Sequence, residues 1–139
     1  MKHFHQCTFL FLFIFFSNIE IRDSIFEGNK AGIYGDDLYF SHDKNLIFIY
    51  SSIFDKFHSN SVYLNGVLIH MEEVEFRENS MNSNDGAAIQ CVDCIHFELK
   101  DSKFLDLKSK LGGAINFQQV QETEETNTLQ VKRNIILNL

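Results

Sequence analysis

Five large apolar residues, Phe26, Phe54, Phe76, Phe104 and Ile136, follow one another at intervals of 28, 22, 28 and 32 residues. Seven positions before each stands Ile19, Ile47, Ile69, Phe97 or Leu129, and five positions before each stands Ile21, Ile49, Met71, Leu99 or Val131. All fifteen positions are large and apolar in a chain that is 45% hydrophobic, so chance agreement is improbable. The unit is a short alternating strand, a corner and a second buried side chain. Ser24, Ser52, Val74, Ser102 and Asn134 lie two positions before the anchors, so the corner favours small polar residues that bond their own backbone. Asp23 and Asp101 suit the same turn chemistry.

Each copy but the last adds another strand. These are "GDDLYF" from Gly35, "NSVYL" from Asn60, "GAAIQC" from Gly86 and "GGAINF" from Gly112, with glycine expected to form the bend. Periods of this size mark solenoids or arrays. Helical repeats would need amphipathic stretches of ten or more residues, and no 3.6-residue period is present. Two or three short strands per copy, joined by loops of uneven length, describe a parallel β-helix of about four to five turns. One turn cannot bury its inward face alone. Each buried apolar side chain contributes about 1.5–3 kcal/mol gross, against about 1–2 kcal/mol of backbone entropy per ordered residue. Stacked turns share a core and tip that balance. Composition agrees, with fifteen Phe and no Pro to bar a strand from a sheet ladder.

Two regions are organised differently. Residues 1–18 open with "MKHFHQ" and continue into "CTFLFLFIFF", a ten-residue run of the length of a signal-peptide apolar region and too short for a membrane-spanning helix. We read 1–18 as a leader that is cleaved or associates with a membrane, with a buried strand as the alternative, and 19–139 as repeats. At the other end, "QVKRNIILNL" starts a fifth turn with one anchor. A stacked turn exposes its edge, so we expect a piece of a longer solenoid.

Charge excludes some functions. The formal net charge is −7, and Lys108, Lys110, Lys132 and Arg133 are scattered, which gives no nucleic-acid footprint. The glutamate-rich run at 121–127 reads as a solvated loop rather than a cation site. Removing a leader would take Cys7 away and leave Cys91 and Cys94 as a pair able to form a disulfide in an oxidising compartment. "CVDC" could also supply half a zinc site, but no second pair completes it, and the plain reading is two turn cysteines of a β protein. His42, His70 and His96 fall on the outward phase of their strands and suggest solvated surface, so neither a metal nor a cofactor is expected.

The motifs "FEGN" at Phe26, "FREN" at Phe76, "GAAI" at Gly86 and "GGAI" at Gly112 resemble the paired FxxN and GGAI motifs of polymorphic outer-membrane-type repeats. Those repeats belong to the pectin-lyase-like superfamily of right-handed β-helices. The resemblance covers 19–139 as a pattern. It implies a right-handed coil, a secreted or cell-surface location, and a turn ladder in which Asn29 and Asn79 would take part. Phe57 and Leu107 stand where the pattern expects Asn.

Relatives in that superfamily cleave polysaccharides, and "GDDLYF" resembles the Gly-Asp-Asp motif of polygalacturonases. Asp36, Asp37 and His58, about one turn further on, are therefore the candidate catalytic residues of an enzyme reading. The other motifs of that enzyme are absent, and an inverting hydrolase needs opposed carboxylates with room for water between them. Asp36 and Asp37 are neighbours, and neighbours on a strand face opposite ways. The expectation is thus a non-enzymatic secreted or cell-surface repeat protein that is structural or adhesive, with carbohydrate or another cell-surface protein as partner. A polygalacturonase-type enzyme and a partial gene product without independent function are the alternatives.

Overall fold

The computed structural model describes residues 2–5, 18–31, 35–41, 46–58, 60–78, 88–108, 114–118, 128–132 and 135–137. Strand β1 (Lys2–His5) precedes four complete turns. The first turn is β2 (Ile19–Arg22), β3 (Ser24–Glu27) and β4 (Leu38–Ser41). The second is β5 (Leu46–Tyr50), β6 (Ile53–Asp55) and β7 (Val62–Asn65). The third is β8 (Leu68–Glu72), β9 (Glu75–Arg77) and β10 (Ile89–Val92), and the fourth is β11 (His96–Lys100), β12 (Lys103–Leu105) and β13 (Ile115–Gln118). Strands β14 (Thr128–Lys132) and β15 (Ile135–Leu137) start a fifth.

All pairing is parallel and runs between turns, which gives three sheets: β2-β5-β8-β11-β14, β1-β3-β6-β9-β12-β15 and β4-β7-β10-β13. We call them the first, second and third sheets. The chain is an all-β right-handed parallel β-helix.

The register is the one read from the sequence. Ile19, Ile47, Ile69, Phe97 and Leu129 are Cα partners in one column, and Ile21, Ile49, Met71, Leu99 and Val131 in the next. The anchors Phe26, Phe54, Phe76, Phe104 and Ile136 form the third. Parallel strands lie about 4.8 Å apart, and the anchor rings repeat at that interval. Phe26 and Phe54 stack at 4.8 Å, Phe54 and Phe76 at 4.8 Å, and Phe76 and Phe104 at 5.1 Å, with all ring planes nearly parallel. Phe4 pairs with Phe26 and extends the column by one position that the spacing argument did not include. Residues 2–5 thus join the coil. The run at 7–16, which carries the leader and membrane expectations, lies outside the described residues.

Single residues with positive φ turn the corners. Between the first and second sheets these are Asp23, Ser51, Glu73 and Asp101, and after the second sheet Gly28, Lys56, Glu78 and Asp106. Between the third sheet and the first, Gly66 and Asp93 do the same. The N–H groups of Asp23, Ser51, Glu73, Asp101, Gly28, Lys56, Glu78, Gly66 and Asp93 still donate to the turn above, as Glu73 does to the Lys100 carbonyl at 3.1 Å and Gly66 to the Val92 carbonyl at 3.0 Å. The ladder therefore continues around these bends, and their backbone donors keep partners.

Beside the first set of bends lies a serine ladder. Ser24, Ser52 and Ser102 are buried, and each hydroxyl donates to the carbonyl two residues earlier, at 2.8–2.9 Å. The Ser52 and Ser102 oxygens also accept the N–H groups of Ser24 and Val74 from the turn below.

Glycine carries fewer bends than expected. Gly35 is the clear case in the third strand set, because it has φ +63° and a Cβ there would meet the Leu38 carbonyl oxygen at 2.4 Å. Gly86, Gly112 and Gly113 lie outside the described residues.

Candidate functional site

The sequence candidates converge on the joint that leads into the third sheet. Gly35 bends the chain so that Asp36 and Asp37 run along the top of β4, where their N–H groups donate to the carbonyls of Asn60 and Ser61 at 2.7 and 3.0 Å. The residue stacked over Asp37 is therefore Ser61. His58 lies further back on the loop, and the backbone rather than the ring brings it to Asp36.

Each carboxylate oxygen of the pair holds a donor from the chain itself. Asp36 Oδ1 accepts the Ala31 N–H at 2.7 Å, and Asp36 Oδ2 accepts the His58 N–H at 2.5 Å. Asp37 Oδ1 accepts from Asn29 Nδ2 at 2.7 Å, and Asp37 Oδ2 from Ser61 Oγ at 2.5 Å. Both side chains fasten residues 29–31 of the first turn to residues 58–61 of the second. Burial pushes the Asp37 carboxyl up to about 6, with repulsion from Asp36 and Asp55 adding to it and the bonds from Ser61 and Asn29 opposing it.

A polar column extends the joint. Asn60 Oδ1 accepts the Gly35 N–H at 3.3 Å, and Asn60 Nδ2 donates to Gln90 Oε1 at 3.0 Å, so three turns are linked by side-chain amides. Asn29, Asn60, Ser61 and Gln90 are all buried. Sequence reasoning did not include Asn60, Ser61 and Gln90. The available signal was the register of Leu38 with Val62, which sets Asp36 and Asp37 level with Asn60 and Ser61, whereas Gln90 stands level with Tyr63 and carried none.

The resemblance to an Asn ladder stops at Asn29, whose partner is Asp37. Phe57 and Leu107, at the equivalent position of later turns, are buried in the core. Asn79 lies outside the described residues.

Cys91 and Cys94 are joined as a disulfide across the bend at Asp93, with their Cα atoms 5.9 Å apart. Cys91 is buried above Leu64 in an inward column, and Cys94 packs on the same core.

The outward face of the first sheet holds a second constellation. Phe48, Tyr50 and His70 approach one another with ring centroids 5.5–6.1 Å apart, and the Arg22 guanidinium lies 4.0 Å over the Tyr50 ring. His70 Nδ1 is 2.9 Å from Glu98, and Nε2 is 3.5 Å from Glu72, which also pairs with Lys100. Lys100, with His70 assisting, holds the Glu72 carboxyl below its usual range, and His70 does the same for Glu98. His70 thus faces outward as its strand phase predicts and is engaged by carboxylates. His42 lies outside the described residues.

Among the described residues no group of three or more His, Cys, Asp or Glu could hold a metal ion. Among them, too, no helix is long and apolar enough to cross a membrane. No family model matches the chain, and no curated protein or solved structure matches it.

Proposed function

We propose that the chain is a non-enzymatic β-helix scaffold, secreted or at the cell surface, that acts as a structural or binding surface. The observation that carries this reading is the use of Asp36 and Asp37. A hydrolytic pair needs one carboxylate free for water and another free for the leaving group. Here all four oxygens already accept hydrogen bonds from Ala31, His58, Asn29 and Ser61. The FxxN and GGAI resemblance to polymorphic outer-membrane-type repeats of the pectin-lyase-like superfamily and the apolar run at 7–16 support the location. A disulfide at Cys91–Cys94 fits an oxidising compartment.

The face offered to a partner on this reading is the outward side of the first sheet. Leu46, Phe48 and Tyr50 make β5 apolar on its outer face as well as its inner one. Aromatic residues and Arg are enriched where proteins make contacts. The partner is a carbohydrate or another cell-surface protein.

The test has two arms. The wild-type chain incubated with pectin and polygalacturonate should release no product. Cleavage that disappears in Asp36→Ala and Asp37→Ala would overturn the proposal in favour of a polysaccharide-active enzyme. Binding to cell-surface glycans and to intact cell surfaces should fall at least tenfold in Phe48→Ala with Tyr50→Ala. Binding untouched by that pair removes the face from the proposal.

A further inference from the structure

The corner that carries the disulfide is held by backbone bonds that do not need it. Cys91 lies in β10, level with Leu64 of β7 on one side and with Phe117 of β13 on the other. Asp93, Cys94 and Ile95 lead from there into β11. The Asp93 N–H donates to the Gln118 carbonyl at 2.8 Å, and the N–H groups of Ile95 and His96 donate to the Val67 carbonyl at 3.0 and 3.4 Å. Cys94 therefore stands between two residues fastened to the turns above and below. In the turn below, Gly66 and Val67 lead from β7 into β8 with no crosslink, and Val67, which follows its bend as Cys94 follows Asp93, is fully buried. An apolar side chain thus suffices to fill the core after such a bend. Closing so short a loop also constrains the unfolded chain less than a long crosslink would.

The two sulfurs differ in access. Cys91 is 1% exposed in its inward column, whereas Cys94 is only partly buried against the same core. We propose that Cys91–Cys94 is a thiol–disulfide exchange site for small aliphatic thiols, with Cys94 as the sulfur that is attacked and Cys91 as the resolving sulfur. A partly buried sulfur admits a small nucleophile along the axis of the bond more readily than it admits a folded protein, which sets the substrate class.

The incoming thiolate forms a bond to Cys94 Sγ as the bond between the two cysteine sulfurs breaks, and the electron pair leaves with Cys91. Cys91 then takes a proton from solvent. A second thiolate attacks the sulfur of the bound small thiol, which frees Cys94 as a thiolate and releases the small thiol as its own disulfide. In sum, two small thiols are oxidised and one disulfide of the chain is reduced. The return path uses the same atoms, because the backbone keeps the two Cα atoms 5.9 Å apart, within the range a disulfide spans. Burial disfavours a thiolate at Cys91, so one formed beside the mixed disulfide returns to Cys94. The mixed disulfide should therefore accumulate only where Cys91 has been removed.

The folded wild-type chain provides the first test. Mercaptoethanol without denaturant should open the pair, so that alkylation after acid quenching labels Cys91 and Cys94, while the denaturant unfolding transition persists. Reduction that occurs only where denaturant unfolds the chain would overturn the proposal, because it marks a purely structural crosslink. The second test is the order of the two sulfurs, in chains that also carry Cys7→Ser and retain the unfolding transition. With hydroxyethyl disulfide, Cys91→Ser should form a mixed disulfide at Cys94 at least tenfold faster than Cys94→Ser forms one at Cys91. Equal rates, or a faster reaction at Cys91, would overturn the assignment.

Discussion

The bends show how little sequence a corner needs. Asp, Ser, Glu and Lys hold positive φ at eight described positions, where a side chain costs about 1–2 kcal/mol relative to glycine. Glycine at such a site gives back about 0.5–1 kcal/mol of that through its freer unfolded chain. Lys56→Gly and Glu78→Gly should each therefore raise stability by about 0.5–1 kcal/mol in denaturant unfolding. Gly28 and Gly35 test the opposite change. A Cβ at Gly28 meets nothing within 4 Å, so Gly28→Ala should cost about 1 kcal/mol from conformation alone. Gly35→Ala adds a collision with the Leu38 carbonyl and should cost at least about 2 kcal/mol, because the contact is backbone. In the anchor column, Phe54 is fully buried between two stacked rings, and Phe54→Ala should cost about 3–5 kcal/mol. Unfolding that shows no penalty there would mean that the rings do not share one core.

At the level of strands, the disulfide spans a bend that another turn makes without one. Val67 follows Gly66 as Cys94 follows Asp93, and Leu64 pairs in register with Cys91. Because the loop it closes is short, reduction should lower stability by no more than about 2 kcal/mol. Unfolding with and without reductant would check this, and loss of the whole transition on reduction would contradict it. The same strands show what the sequence disclosed. The fifteen apolar positions predicted the register of two sheets, because inward side chains must repeat wherever strands stack. The corner between the first and second sheets was legible, with Asp23 and Asp101 suited to its turn, but the bends after the second sheet were not, because Lys56, Glu78 and Asp106 look like any surface residues. Phe4 stands 22 residues before Phe26, the interval that separates Phe54 from Phe76, but reading 1–18 as a leader kept it out of the repeat. Asp36 and Asp37 were placed in a glycine-containing turn, but the side-chain partners of Asp37, Asn29 and Ser61, come from two different turns. Contacts between turns leave no local trace in the chain.

For the coil as a whole, stability is shared among neighbouring turns rather than held by one centre. The second and third turns have partners on both sides in every sheet, whereas β2 and β4 stand at the edges of theirs. Hydrogen exchange should be slowest at Ile47, Ile49, Ile69 and Met71, which are fully buried. It should be faster by at least tenfold in β2. Uniform rates along the coil would show instead that it opens only as a unit.

The first and second sheets keep one spacing in every turn: seven residues from the first inward side chain to the anchor, and five from the second. All differences in turn length fall on the way into and out of the third sheet. The molecule therefore has a measured side and an elastic side. A residue inserted on the measured side reverses which side chains face inward until the next loop, and such a lineage ends with the first change. On the elastic side, whole segments can be gained, lost or exchanged between copies with the frame intact. Diversity in a coil of this kind should accumulate along that one seam, as text is revised in the margin of a page whose lines are already ruled.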